Sequence, residues 1–201
     1  MNYPRPLEKT LEKLDTPPKI QNYLEKLKYN GGDKCHSPLH VVKNKRAYCF
    51  EGALFAAACM KYHGHKPLIV DLRAVNDDDH IIAVYKRNGL WGALSKSNFL
   101  TLQYREPIYR SLRELAQSYF NFYYNIKGEK TLREYSRPMN LNRFNGWETT
   151  DEDLNYLGEQ IDKMKHYPIT AGHIFKNLRP VNPKLLKASL MGAKLHEVYK
   201  P

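Results

Sequence analysis

The segment CFEGALFAAACMKY, residues 49–62, decides how the rest of the chain is interpreted. Glu51 is its only charged side chain before Lys61. A helix that is apolar on all sides is buried on all sides, and Gly64 is well suited to end it. We therefore expect a central helix in the core, with Cys49 at its N-terminus.

Three short strands are predicted directly after this helix. Residues 67–72, PLIVDL, have the continuous apolar run of a buried strand. Residues 80–85, HIIAVY, form a second apolar run after three aspartates. The dipeptide Asn88-Gly89 is a strong hairpin signal, so residues 90–94 are expected to return as the neighbouring antiparallel strand.

The hairpin determines which side chains share a face of this sheet. With the Asn-Gly dipeptide as a two-residue loop, the register places His80 opposite Ser97, and Ser95 lies on the same side of the sheet. We expect the central helix to pack on that side, which would bring Cys49 toward His80.

Together with the flanking segments, these elements predict one α+β domain over residues 1–201. The chain is 42% hydrophobic and 26% charged, which is typical of a globular domain. Apolar residues at helical spacing predict short helices within residues 1–32 and a mainly helical part over residues 103–201. We expect a buried central helix packed on a small antiparallel sheet, with extra helices at both ends of the chain.

The sequence indicates a cytoplasmic protein with no membrane association. No apolar run approaches the roughly 18 residues of a membrane span, and residues 1–15 lack the apolar core of a signal peptide. Cys35, Cys49 and Cys59 are an odd number of cysteines and form no disulfide framework. Neither the cysteines nor the histidines have the spacing of a zinc site, so we expect no metal and no organic cofactor.

The charge balance is strongly basic but evenly spread. The chain has 32 Lys and Arg residues against 21 Asp and Glu residues, a net charge of +11. Residues 1–102 carry 16 basic and 10 acidic side chains, and residues 103–201 carry 16 and 11. Because the chain has no basic tail and no long basic cluster, the pattern argues against a nucleic-acid partner and leaves an anionic ligand open.

Cys49 and His80 are candidates for a nucleophile and its base. A helix N-terminus stabilises a thiolate, so we expect the pKa of Cys49 to be lowered. His80 would take the thiol proton, and Ser95 would orient the imidazole, with Ser97 or Asp71 as alternatives. The alternative interpretation is structural, because free cysteines are mostly small core residues and His80 could be a hydrogen-bonded residue at a sheet edge.

These residues resemble the core of the transglutaminase-like superfamily, a branch of the papain-like cysteine enzymes. The family has a Cys at the start of a central helix, with an acidic residue and an alanine shortly after it. A turn into a strand follows, then a His that opens a strand and a Trp in the next strand. The matching residues here are Cys49, Glu51, Ala53, Gly64 with Pro67, His80 and Trp91. The resemblance covers residues 44–98 and extends to uncharacterised bacterial proteins described only as transglutaminase-like.

The resemblance implies a papain-like fold and a thiol-dependent acyl-transfer reaction on an amide or ester bond. Peptidase or amidase activity is slightly favoured over transfer to an amine, because bacterial members of such superfamilies are often hydrolases. The family places an Asp four residues after the Trp to orient the His, and this chain has Ser95 there. A serine brings no charge to stabilise the imidazolium, so a catalytically degenerate domain that binds an anionic partner is the alternative.

Further side chains are candidates for completing such a site. Candidate oxyanion donors are the backbone N–H of Cys49, and Asn44 and Tyr48. Candidate substrate contacts are Trp91, Lys96, Arg105 and Arg110. The substrate would be a peptide, a protein or a small amide or ester, and the sequence carries no signal of the oligomeric state.

Overall fold

The computed structural model describes residues 3–191 and residue 193, and it has an antiparallel sheet with helices on both faces. The α-helices are α1 (Arg5–Lys13), α2 (Pro17–Lys26), α3 (Pro38–Asn44), α4 (Cys49–Tyr62), α5 (Leu112–Phe120), α6 (Asn155–Asp162) and α7 (Pro183–Ser189). The strands are β1 (Leu68–Ala74), β2 (His80–Arg87), β3 (Leu90–Leu94), β4 (Arg105–Tyr109), β5 (Leu132–Ser136), β6 (Met139–Asn140) and β7 (His166–Pro168). Short 3-10 helices cover Leu100–Leu102, Leu141–Arg143 and Gly172–Asn177.

The sheet confirms the α+β class and is larger than the sequence predicted. Its strand order is β4-β3-β2-β1-β5-β7, β6 also pairs with β1, and every pairing between these strands is antiparallel. Four of the strands lie beyond residue 103, so the second half of the chain contributes strands to the sheet as well as the expected helices. The segment Arg105–Tyr109 contains Pro107 and forms an edge strand, a position in which a sheet tolerates proline.

The predicted hairpin forms as a tight two-residue turn. Asn88 and Gly89 have φ angles of 52° and 80°, which is the backbone conformation of a type I′ turn. The register from Arg87↔Leu90 to Ala83↔Leu94 follows the prediction. The β2–β3 pairing ends at Leu94, so Ser95 and Ser97 lie beyond the ladder and His80 does not face Ser97 across it.

The two faces of the sheet carry two separate cores. The helix α4 packs with the odd-numbered residues of β2, Ile81, Ala83 and Tyr85. The even-numbered Ile82 and Val84 pack on the other side, with apolar residues of α5. The expectation that α4 covers the His80 face is therefore wrong, because the alternation of side chains along a strand puts His80 on the α5 side.

The central helix forms as predicted and is enclosed on all sides. Every residue from Phe50 to Met60 is buried. Glu51 accepts a hydrogen bond from the backbone N–H of Tyr48 at 3.1 Å, which satisfies a donor that the helix start would leave unpaired. At 14 residues α4 is short, and no helix in the described part of the chain is long and apolar enough to cross a membrane.

Candidate active site

A cavity of about 290 Å³ lies where α4 and β2 both begin. Cys49 is the first residue of α4, His80 is the first residue of β2, and both line this cavity. Because α4 covers one face of the sheet and His80 belongs to the other, the two residues line the cavity from opposite sides of the sheet, at the start of β2. The sequence analysis expected the two residues to approach each other because α4 would pack on the His80 face; that packing is not observed, but both residues line one cavity.

The thiol of Cys49 lies against the edge of β2. Its Sγ is 4.0 Å from the backbone oxygen of Asp79, and the backbone N–H groups of Phe50 and Ile81 donate toward the sulfur. Cys49 is half-buried. The sulfur therefore contacts backbone atoms of the residues on either side of His80.

The ionisation of Cys49 differs from the sequence-based expectation. Burial raises the pKa of Cys49 to about 12, and the nearby carboxylates of Asp78 and Asp71 add to the rise. The expected lowering of this pKa is wrong, because removal from water and neighbouring negative charge outweigh the partial charge of the helix N-terminus. At neutral pH the resting side chain is a neutral thiol.

His80 is held in one tautomer by a backbone carbonyl. Its Nε2 lies 3.1 Å from the oxygen of Leu102, and the residue is 4% exposed. A carbonyl oxygen only accepts, so Nε2 carries the proton and Nδ1 keeps its lone pair. Within the described residues Nδ1 has no hydrogen-bond partner. Burial lowers the pKa of His80 to about 4, and the charge of Arg105 contributes, so the imidazole is neutral and can accept a proton at Nδ1.

Ser95 supports His80 indirectly instead of contacting it. Its Oγ donates to the oxygen of Leu102 at 2.7 Å, so the serine and the imidazole share one acceptor. The main chain of Ser95 is fixed by Gln21, whose amide exchanges two hydrogen bonds with it at 3.1 and 3.2 Å. The prediction of Ser95 as the direct orienter is therefore wrong. Ser97 lines the cavity, but its Oγ accepts from the N–H of Phe99.

Asp71, the other proposed orienter, belongs to a different histidine. Its Oδ2 lies 2.9 Å from Nε2 of His166, and both side chains are 3% exposed. Nδ1 of His166 donates to the oxygen of Met164 at 2.8 Å. An acceptor faces each ring nitrogen, which favours the protonated ring, and the hydrogen bond to Asp71 is the chief cause that raises the pKa of His166. Asp71 lies on the α4 side of the sheet, opposite to the side of His80, so it does not orient His80.

The candidate oxyanion donors divide between two places. Tyr48 lines the cavity, but its hydroxyl is hydrogen-bonded to the thiol of Cys35, so the prediction of Tyr48 as an oxyanion donor is not supported. Asn44 lies beside a separate small cavity with His36 and Glu51. The first intrahelical hydrogen bond of α4 runs from the N–H of Gly52 to the oxygen of Tyr48. The N–H of Cys49 therefore has no acceptor within the helix, and it stays available to an oxyanion, while Asn44 does not.

None of the four predicted substrate contacts lines this cavity. Trp91 pairs with Lys86 at the far end of β2, about 20 Å from His80, and lines another cavity. Arg110 is exposed and directly follows Tyr109, which pairs with Trp91 at that same end. The expectation that these two residues contact the substrate of Cys49 is wrong because the hairpin carries them away from it.

The side chains of Lys96 and Arg105 bind other groups of the protein instead of facing the cavity. Nζ of Lys96 donates to the oxygen of Leu27 at 2.6 Å, which caps the C-terminal end of α2. The guanidinium of Arg105 donates to Ser118 Oγ and lies 3.9 Å from the ring centroid of Tyr119. Both predictions of a substrate contact are therefore wrong, since the cationic groups are bound within the protein.

Two features of the site escaped the sequence analysis. The carbonyl of Leu102 orients His80, and a backbone acceptor leaves no signal in residue type. Tyr123 lines the cavity and donates to the oxygen of Asp78 at 2.6 Å, fixing the loop before β2. Its only signal was the aromatic run at residues 118–125, which is equally typical of a core helix.

The burial of His80 predicts a loss of stability in acid. The pKa of His80 is about 4 in the folded state and about 6.5 unfolded, so the unfolded chain binds more protons between these values. The contribution of His80 to the free energy of unfolding therefore decreases by about 3 kcal/mol as the pH drops from 6.5 to 4, and it is constant below that range.

Urea unfolding of the wild type and of His80→Gln at both ends of this pH window measures the difference. The comparison with the variant is necessary because Asp77 and Asp79, with pKa values raised to about 6 by burial, act in the opposite direction. Parallel pH profiles of the two proteins would contradict a neutral, buried His80.

Among the residues that the structure describes, no three His, Cys, Asp or Glu side chains are grouped to hold a metal ion. In comparisons with known proteins, no family model and no curated protein matches this chain.

Proposed function

We propose that this protein is a thiol-dependent acyl-transfer enzyme of transglutaminase-like, papain-like type. The observation that supports this most is that Cys49 and His80 line one cavity, at the starts of a buried helix and of the strand beside it. A thiol, a neutral imidazole with a free lone pair and unpaired helix N–H groups are the parts that acyl transfer requires.

The reaction begins from a neutral pair. Nδ1 of His80 takes the proton of Cys49 as Sγ attacks the carbonyl carbon of an amide or ester. The N–H of Cys49 donates to the resulting oxyanion. When the carbon–heteroatom bond breaks, the imidazolium returns the proton to the leaving amine or alcohol. The products of this half-reaction are a thioester on Cys49 and a neutral His80.

The second half-reaction releases the acyl group. His80 takes a proton from the acceptor, which attacks the thioester, and returns it to the sulfur. With water as the acceptor the enzyme is a peptidase or amidase, and with an amine it is an acyltransferase; we favour hydrolysis. The Leu102 carbonyl holds the ring of His80 throughout but brings no full charge, so it stabilises the imidazolium less than an aspartate would.

Hydrolysis of p-nitrophenyl acetate tests this proposal without knowledge of the natural substrate. We expect the wild type to release p-nitrophenol and Cys49→Ser to lose the reaction. Cys59→Ser is the matched control, because Cys59 is buried in the same helix and lies outside the cavity. Equal rates for the wild type and Cys49→Ser, with both folded, would overturn the proposal.

Ser95→Ala is expected to slow acetylation of Cys49 about fivefold, since the carbonyl of Leu102 loses a neutral hydrogen bond worth ~1 kcal/mol and holds His80 less firmly. Ser189→Ala is the control. Ser189 is also buried and donates to a backbone oxygen, that of Leu186, at 2.8 Å, but it lies in α7. If both variants slow the reaction equally, Ser95 has no special link to His80.

The second candidate function is a catalytically degenerate domain that binds an anionic partner. It is favoured by the resting state of the pair, in which burial raises the pKa of Cys49 and lowers that of His80, and by the net charge of +11. It predicts a folded protein in which Cys49 is not acetylated. It also predicts salt-sensitive retention on heparin.

A further inference from the structure

The cavity at Cys49 has the opposite electrostatic character to the rest of the chain. Asp77, Asp78 and Asp79 line it, and no Lys or Arg is among its described lining residues. The chain as a whole carries +11. An acidic cavity in a basic protein attracts cations to one place.

Asp78 is the carboxylate in this group with free capacity. Asp77 accepts from the hydroxyl of Thr131 at 2.7 Å and from the N–H of Asp78 at 3.0 Å, and Asp79 accepts from the N–H of Ala74 at 2.7 Å. Asp78 is exposed, and its carboxylate makes no hydrogen bond or ion pair to a described residue, so it is accessible to a ligand from solvent. Its backbone oxygen is held by Tyr123, so the loop that carries this free charge is fixed.

A buried hydroxyl in the cavity wall is also unused. Tyr124 lines the cavity and is 1% exposed, and its hydroxyl has no hydrogen-bond partner among the described residues. A buried hydroxyl without a partner costs free energy, and a ligand N–H would satisfy its lone pairs. Tyr124 packs edge-to-face on Phe99, another lining residue, with ring centroids 6.0 Å apart.

Aromatic rings complete the wall around these groups. Tyr48 and Tyr123 line the cavity beside Cys49 and Asp78. Ring faces attract organic cations, and the attraction grows when water is excluded. Carboxylate, unpaired hydroxyl and aromatic rings together form the usual chemistry of an ammonium or guanidinium site.

We propose that the acyl substrate carries an organic cation, an alkylammonium or guanidinium group, which binds at Asp78 among the aromatic rings of this cavity. This inference rests on the proposed function and specifies its substrate class. It also links binding to reactivity: the cation offsets the carboxylate charge that opposes thiolate formation at Cys49, so the substrate itself favours the attacking form.

Charged thiol reagents of similar size test the proposal directly. The probes are the trimethylammonioethyl, sulfonatoethyl and methyl methanethiosulfonates, which are cationic, anionic and neutral. Rates at Cys49, mapped by peptide mass spectrometry, are divided by the rates of the same reagents with a free cysteine peptide. We expect a normalised cation-to-anion ratio of at least about tenfold from the Coulomb attraction at these distances.

Two charge-removing variants show whether Asp78 is responsible. Asp78→Asn is expected to reduce the ratio several-fold. Glu152→Gln removes the same charge from an exposed side chain outside the cavity and is expected to leave the ratio unchanged. A normalised ratio near one, or equal effects of the two variants, would overturn the proposal.

A second measurement does not depend on the thiol. Benzyltrimethylammonium should raise the thermal midpoint of the wild type more than that of Asp78→Asn, and benzenesulfonate should not raise it. No shift with the cation would overturn the proposal even if labelling is slow. Failure of the acyl-transfer function has a different signature: charge preference is retained, but p-nitrophenyl acetate does not acylate Cys49.

Discussion

His80→Gln is expected to slow acetylation of Cys49 by p-nitrophenyl acetate by at least about 100-fold, the usual contribution of a general base. The glutamine amide can still donate to the oxygen of Leu102, which His80 Nε2 approaches at 3.1 Å, so the packing is largely preserved. What is lost is the Nδ1 lone pair that takes the thiol proton. The rate of p-nitrophenol release under single-turnover conditions measures the effect.

A second histidine in the chain provides the matched control. Nε2 of His63 also lies near a backbone oxygen, that of Leu11, at 2.9 Å, but His63 follows the C-terminal end of α4. His63→Gln should leave acetylation unchanged. If His80→Gln also acetylates at the wild-type rate, His80 is not the base and the nucleophile–base assignment fails.

His166→Leu is expected to lower the free energy of unfolding by about 3–5 kcal/mol at neutral pH, because it leaves the buried carboxyl group of Asp71 without its partner. The two side chains are each 3% exposed and lie 2.9 Å apart. One oxygen of Asp71, Oδ1, has no partner among the described residues. The contact with His166 is therefore the main interaction that offsets the cost of burying this carboxyl group. Urea unfolding followed by circular dichroism measures the change.

The double variant Asp71→Leu/His166→Leu separates a broken pair from lost packing. Replacing both partners by apolar groups is expected to recover most of the stability. If the double variant is as unstable as the single one, packing around His166 explains the loss and the ion pair does not.

The pH dependence of this pair has a definite sign. The pKa of His166 is raised above its unfolded value. Its contribution to stability is therefore fully present below the unfolded pKa of about 6.5, and it is lost as the pH rises through the folded pKa. The wild type should lose stability on that rise and the double variant should not.

The parts of the fold that depend on neighbouring residues in the chain could be predicted from the sequence. The helix at residues 49–62 is apolar throughout, and no exposed arrangement suits such a segment. Asn88 and Gly89 adopt positive φ angles that few other residues tolerate, so the turn type and register followed. These two features placed Cys49 and His80 at the starts of adjacent elements.

The orientation of His80 could not be predicted because it depends on a loop that folds back. Leu102 lies in a short 3-10 helix after β3, and only the tertiary structure brings its carbonyl to Nε2. Ser95 was predicted to bind His80 directly, and it instead donates to the carbonyl that orients His80. A family pattern of side chains carries no information about a main-chain acceptor.

The pKa of Cys49 and the position of Lys96 could not be predicted from the sequence either, because both depend on the tertiary packing. The effect of burial on the pKa of Cys49 depends on how completely the sheet and the loop at Asp77–Asp79 cover the sulfur. Lys96 was expected in the cleft, but its stem crosses Gly52 so closely that a Cβ at that position would lie 2.6 Å from Lys96 Cβ. Such an approach between α4 and the chain after β3 follows from packing, not from local sequence.

Peptide mass spectrometry of the wild type, quenched in acid during reaction with p-nitrophenyl acetate, tests the central claim most directly. The account predicts one acetyl group on Cys49, as a thioester that hydroxylamine removes, and none on Cys35 or Cys59, which are buried and do not line the cavity. The acetyl group should accumulate far more slowly in His80→Gln. A folded wild-type protein with no acetyl group on Cys49, or with acetylation on surface lysines alone, would contradict it.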